Sequence, residues 1–205
     1  MSHLILTKDI YLYSALSALL LPLSVNRKIC IIDIESYRSL RMIYRLLSRD
    51  NLINEHRVIF IGGANVSSKV LEPLVTVYRK SGFTEFYRQL TEGRTCSLES
   101  SLNHIEKCLN LHMLTRRERR VLYAIRDAND TRAAAKMSYL STSTFYAYSR
   151  RIGEKLNLKS ILHVRQFIFS EFVLKERVEY SSVKRLPSQL GKGAVAYNAI
   201  INAGM

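Results

Sequence analysis

Residues 139–151, YLSTSTFYAYSRR, crowd hydroxyls, aromatic rings and two arginines into one stretch without a Gly, a Pro or an acid. Such a stretch could be a polar, phosphorylatable loop or one folded element with two different sides. Helical spacing favours the second reading. At 100° per residue, Phe145, Tyr148, Ile152 and Leu156 fall within about 80° of one another and form an inner face. Ser143, Tyr146, Ala147, Arg150, Arg151 and Glu154 point roughly the other way. That outer face carries the chemistry of a helix laid in a DNA major groove. Arginine bonds guanine edges bidentately, an alanine or a tyrosine ring meets a thymine methyl, and hydroxyls reach phosphates.

Other chemical groups are sparser. Asp9 and Asp33 each end a short apolar run, so their carboxylates are expected to converge at the carboxyl edge of a sheet, where ligands and metals bind. Gly62-Gly63 follows a third such run, but the pair lacks the spacing of a nucleotide-binding loop and reads as an ordinary turn. His104, Cys108 and His112 lie at i, i+4 and i+8, a pattern expected to be a buried thiol flanked by two imidazoles rather than a metal site. No Ser/His/Asp or Cys/His set occurs at an interpretable spacing. The expectation is no catalytic residue, no metal and no cofactor, hence no enzyme.

The elements that must position these groups follow from composition and pattern. The chain has 205 residues and a net charge of +14, which points to a polyanionic partner. Up to residue 108 it has 14 basic against 10 acidic residues; beyond, 17 against 7. The asymmetry predicts two domains, 1–108 and 109–180, and a basic tail, 181–205, punctuated by Pro and Gly. Three scattered cysteines predict no disulfide framework and a reducing compartment. Residues 11–23, YLYSALSALLLPL, resemble a signal-peptide core. However, Lys8 and Asp9 precede them, Pro22 interrupts, and no cleavage site follows. The run is also short of a bilayer span, which needs roughly 20 residues. Neither export nor a membrane role is expected.

In the first half, strands are predicted at 3–7, 28–34, 56–61 and 83–90. Helices are predicted at 11–21, 36–49, from a cap at Ser67 or Ser68 through Tyr78, and at 97–111 with Ser97 as cap. This alternation gives a small parallel α/β sheet. In the second half, Thr115 with Glu118 forms a capping box, and Asp130, Ser141 and Ser160 cap three further helices: a short one at TRAAAKM, one over 142–156 and one over 161–178. Four helices with short connections, one of them Ala-rich, make a helix-turn-helix unit.

LTRRERRVLYAI followed by STSTFYAYSRRIGEKLNLKS resembles the C-terminal DNA-binding domain of LuxR/FixJ-type (GerE-like) bacterial transcription regulators over residues 112–172. The resemblance rests on an L-T-x-x-E start joined to a T-hydrophobe-x-x-aromatic-x-x-x-I-x-x-K-L core. It implies that the helix near 142–155 is the recognition helix, with Tyr146, Ala147 and Arg150 reading bases and Thr144, Arg151, Lys155 and Lys159 touching phosphates. It implies also that the fourth helix dimerises, through Leu162, Phe169 and Val173. Departures fall at Ala134-Ala135, where the family has a branched residue before Ala, at Ser138 in an apolar position, at Tyr148 in place of a frequent His, and at Tyr146 in place of Lys.

The first half resembles a shortened response-regulator receiver domain, in which Asp33 matches the phosphoryl acceptor. Lys8-Asp9 stands where receivers have an acidic pair, Gly62 where they have Thr or Ser, and no Lys matches the charge-sensing lysine, the nearest cation being Arg88. Phosphotransfer at Asp33 is therefore not expected, and the half reads as a degenerate receiver-like scaffold for dimerisation or partner binding. The whole layout looks like auxiliary enterobacterial regulators that phosphorylation does not switch. The resemblance implies a cytoplasmic, nucleoid-associated protein that binds double-stranded DNA as a homodimer, or as a heterodimer with another LuxR-type regulator.

Overall fold

The computed structural model describes residues 3–21, 28–49 and 56–173. Four short strands, β1 (Leu4–Leu6), β2 (Ile29–Asp33), β3 (Arg57–Gly62) and β4 (Val75–Tyr78), pair in sequential order, and every pairing is parallel. β2 and β3 are buried along almost their whole length, as expected for a parallel sheet covered on both faces. Alternate residues feed two cores. Cys30, Ile32, Val58 and Phe60 face α2 (Leu40–Arg49), α3 (Val66–Val70) and α5 (Leu98–Leu109). Ile31, Ile59, Ile61 and Val77 face α1 (Ile10–Leu20) and α4 (Phe83–Glu92).

That division fixes an unusual hand. All three connections step in the same direction across the sheet, yet α1 lies on the opposite face from α2 and α3. The β1–α1–β2 unit therefore crosses with the opposite hand from the next two. Right-handed crossovers are the strong rule, and a right-handed unit would carry α1 to a strand on the other side of β1. Among the described residues the sheet has the form of a doubly wound one without that edge strand.

Three expectations for this half need correction. FTEFYRQL is not a strand but α4: Gly82 precedes it, and Phe86 and Leu90 are four apart, which suits a helix packed on the sheet. The fourth strand is instead VTVY, within the segment expected to be helical. Pro73 stops that helix, because it has no N–H to donate and crowds the preceding turn. The chain makes one 3-10 turn over Glu72–Leu74 and then extends. The cap of α3 is Asn65, whose side chain accepts the Ser68 N–H at 2.7 Å. Ser68 is buried and its hydroxyl accepts the Gly63 N–H.

The second half follows expectation closely. Thr115 and Glu118 close a capping box on α6 (Arg116–Asp127), Asp130 caps α7 (Thr131–Met137), Ser141 caps α8 (Thr142–Lys155), and Ser160 caps α9 (Ile161–Ile168). After Ile168 the helix widens into a π turn over Phe169–Val173. The rest of the expected fourth helix and the 181–205 tail lie outside the described residues. The fold is thus a small parallel α/β sheet joined to a four-helix helix-turn-helix unit, as expected.

The two parts share one apolar cluster that runs from Leu6 to Ile168. Polar contacts reinforce it. Glu171, in the π turn, accepts the backbone N–H groups of Leu40 (2.6 Å) and Arg41 (3.2 Å) at the start of α2. Asn157 donates to the Lys69 carbonyl and to Glu72.

Candidate nucleic-acid interface

α8 is held from beneath and open above. Phe145 and Ile152 are completely buried, Leu156 nearly so, and Tyr148 half-buried. Ser149 and Gly153 share the inner side. Ser149 donates to the Phe145 carbonyl at 2.9 Å, so its hydroxyl is satisfied within the helix. A Cβ on Gly153 would lie 2.6 Å from the Leu158 carbonyl oxygen. Only glycine lets the chain after α8 fold back this closely. Two of the residues that depart from the pattern of the resembled family are accommodated: Ser138 is buried but donates to the Ala134 carbonyl, and the Tyr148 ring lies under the Arg151 guanidinium at 5.9 Å.

The outer residues Ser143, Tyr146, Ala147, Arg150, Arg151 and Glu154 are all exposed. Tyr146 is 52% exposed, a large ring held out on a rigid helix. Arg150 donates through Nε to Glu154 at 3.0 Å. The pair lies on solvent, and the Arg150 side chain stays 84% exposed.

The residues expected to touch phosphates are not equivalent. Thr144 sits at the helix N-terminus, its hydroxyl 2.8 Å from that of the cap Ser141. Arg151 and Lys159 are exposed. Lys155 is already engaged: its Nζ lies 2.7 Å from Oε2 of the buried Glu118. Burial alone would raise the Glu118 pKa, but the bonds from Lys155 and from the Thr115 N–H outweigh it and hold the carboxyl below its ordinary value. Glu118 thus does double duty, closing the cap of α6 and tying the end of α8 to it.

On α9, Leu162 is exposed, as is Phe169 just beyond it, and Arg165 lies over the Phe169 ring. Val164, Phe167 and Ile168 are buried in the shared core. These three apolar side chains of α9 are therefore consumed by packing within the chain.

In the α/β part, Asp9 and Asp33 do converge, through a cation the sequence did not reveal. Arg79, just after β4, bonds Asp33 with Nε (3.1 Å) and Nη2 (2.6 Å), and its Nη1 lies 3.4 Å from Asp9. Arg88, the expected nearest cation, pairs instead with Glu85 on the exposed side of α4. Cys108 is a buried thiol, pushed up to about 11 by burial. His104 is half-buried and lowered by the same cause, and His112 is exposed.

No family model matches the chain. The chain is similar to the transcriptional regulatory protein DegU of Brevibacillus brevis, with 30% identity over 112 residues, or 55% of this chain and 44% of DegU. It therefore spans less than half the length of that curated relative. Among solved structures, RcsB from Salmonella enterica serovar Typhimurium, bound to promoter rprA, aligns with 82% of this chain and 98% of its own, at 14% identity and a TM-score of 0.36. Full-length FixJ from B. japonicum aligns with 82% and 96%, at 12% identity and a TM-score of 0.29. Among the described residues no helix is long and apolar enough to cross a membrane.

Proposed function

We propose that this protein is a sequence-specific, double-stranded-DNA-binding transcriptional regulator and not an enzyme. It acts as a dimer that lays α8 in the major groove, in the bacterial nucleoid. Tyr146, Ala147 and Arg150 read bases; Thr144, Arg151 and Lys159 contact phosphates, and Lys155 does so only at the expense of its bond to Glu118. The 1–108 part is a scaffold that phosphorylation does not switch. The observation that carries this reading is the outer face of α8: exposed, cationic and aromatic, on a helix whose other side is locked in the core. The excess of basic residues beyond 108 and the similarity to a relative named as a transcriptional regulator support it.

Selection of bound sequences from a random DNA pool, followed by titration of the winner, tests this. Arg150→Ala should cost about 1–3 kcal/mol on the selected site and relax preference at one base position. Full discrimination by that variant would remove α8 from the groove. A second reading has its own support in the exposed Leu162 and Phe169: an auxiliary subunit that modifies another LuxR-type regulator by pairing through α9. Protection of DNA only when such a regulator is present would favour it.

A further inference from the structure

The receiver resemblance implies a divalent cation and a phosphoryl acceptor at Asp33, and the residues present fit neither. Asp33 is completely buried. Its Oδ1 accepts Arg79 Nε, and its Oδ2 accepts Arg79 Nη2, the Thr7 hydroxyl at 2.8 Å and the Ser36 hydroxyl. An ionised carboxylate offers about four acceptor positions, two on each oxygen; Oδ2 is crowded by three donors from within the chain and Oδ1 is held by one. The neighbouring acids are committed as well. Asp9 Oδ1 accepts the Tyr11 and Leu12 N–H groups at the start of α1. Glu35 Oε1 accepts those of Ala64 and Asn65. The Glu35 carboxyl group lies so close over Gly63 that a Cβ there would fall inside it, so the glycine turn seats this acid. Among the described residues no three His, Cys, Asp or Glu side chains converge to hold an ion. The acids are spread around a planar guanidinium instead, with Arg79 Nε 3.7 Å from Glu35 Oε2.

We propose that Arg79 is the permanent cation of this pocket. Its fork replaces both a divalent ion and the charge-sensing lysine, and it holds the ends of β1, β2 and β4 together in one state. A buried carboxylate needs a partner of opposite charge, and a covalently tethered one cannot dissociate. The carboxyl edge of the sheet is therefore insensitive to divalent ions and to acyl phosphates, and any signal to this half acts at another surface. This inference deepens the reading that phosphorylation does not switch the chain.

The test uses the full chain without DNA, so that it can fail or succeed independently of groove binding. Calorimetric titration with Mn²⁺ should show no binding at millimolar concentrations, and incubation with acetyl phosphate and Mg²⁺ should add no mass. Arg79→Met should lower the melting temperature by about 5 °C or more. Adding Asp33→Asn in that background should restore much of the loss, because the stranded charge is removed. Arg79→Lys should fall between, keeping the charge but losing the fork. If Arg79→Met alone does not fold, the double variant should still do so. Stoichiometric Mn²⁺ binding by the wild type, a phosphoryl adduct on Asp33, an unchanged melting temperature in Arg79→Met, or no rescue by Asp33→Asn would each overturn the proposal.

Discussion

At the scale of single residues, neighbours on α8 are assigned opposite work, and substitutions should separate them. Arg150 and Arg151 are adjacent and both exposed. Arg150 is braced by Glu154, whereas Arg151 leans over Tyr148. Arg151→Ala should weaken binding about equally to every DNA sequence and reduce the slope of log affinity against log salt by about 1. Titrations at several salt concentrations would check this against Arg150→Ala, whose loss should concentrate at one base pair. Beneath them, Phe145 is completely buried. Phe145→Ala should cost about 3–5 kcal/mol by chemical denaturation, since the cavity it leaves cannot fully collapse. Loss of DNA binding in that variant would follow from unfolding and not from any lost contact with a base.

Among the elements, α8 depends on how its C-terminal end is tied down. Gly153 lets the Leu158 carbonyl approach, and Lys155 is anchored by Glu118. Gly153→Ala adds a methyl where that carbonyl already stands. It should cost about 1–3 kcal/mol in a denaturant melt through overpacking, although Ala is the better helix former in isolation. A neutral or stabilising result would mean that the turn after α8 can shift freely. Thr115→Ala should remove one side of the capping box and cost about 1 kcal/mol, read in the same way.

For the whole molecule, the joint between its two parts turns on Glu171. This carboxyl is buried between the π turn and the start of α2. Burial raises its pKa to about 7, with the Leu40 and Arg41 N–H groups and the Arg41 charge opposing; Cys108 faces it from α5. A carboxyl raised in the folded state favours the protonated form there. Its stabilisation is complete below its unfolded value near pH 4.5 and is lost as the pH climbs through about 7. Wild type should therefore lose about 3 kcal/mol relative to Glu171→Gln between about pH 4.5 and 8. Paired denaturant melts across that range would reveal it, and parallel curves would show that Glu171 titrates normally.

Much of this protein was legible in its sequence wherever the cause is local. The caps Ser97, Thr115, Asp130, Ser141 and Ser160 were readable because each bonds an N–H only a few residues ahead. The two sides of α8 were readable because 3.6-residue periodicity separates burial from exposure. The errors near β4 came from short apolar runs that suit helix or strand alike, although Pro73 was there to stop the helix. Arg79 and Glu171 could not be read at all. Their partners lie 46 and about 130 residues away in the chain, and no periodicity connects them. What the sequence determined by itself was the helix-turn-helix and its outward chemistry. Only tertiary structure decided which cation meets Asp33 and how the two parts join, because strand register and helix packing, not spacing, bring those groups together.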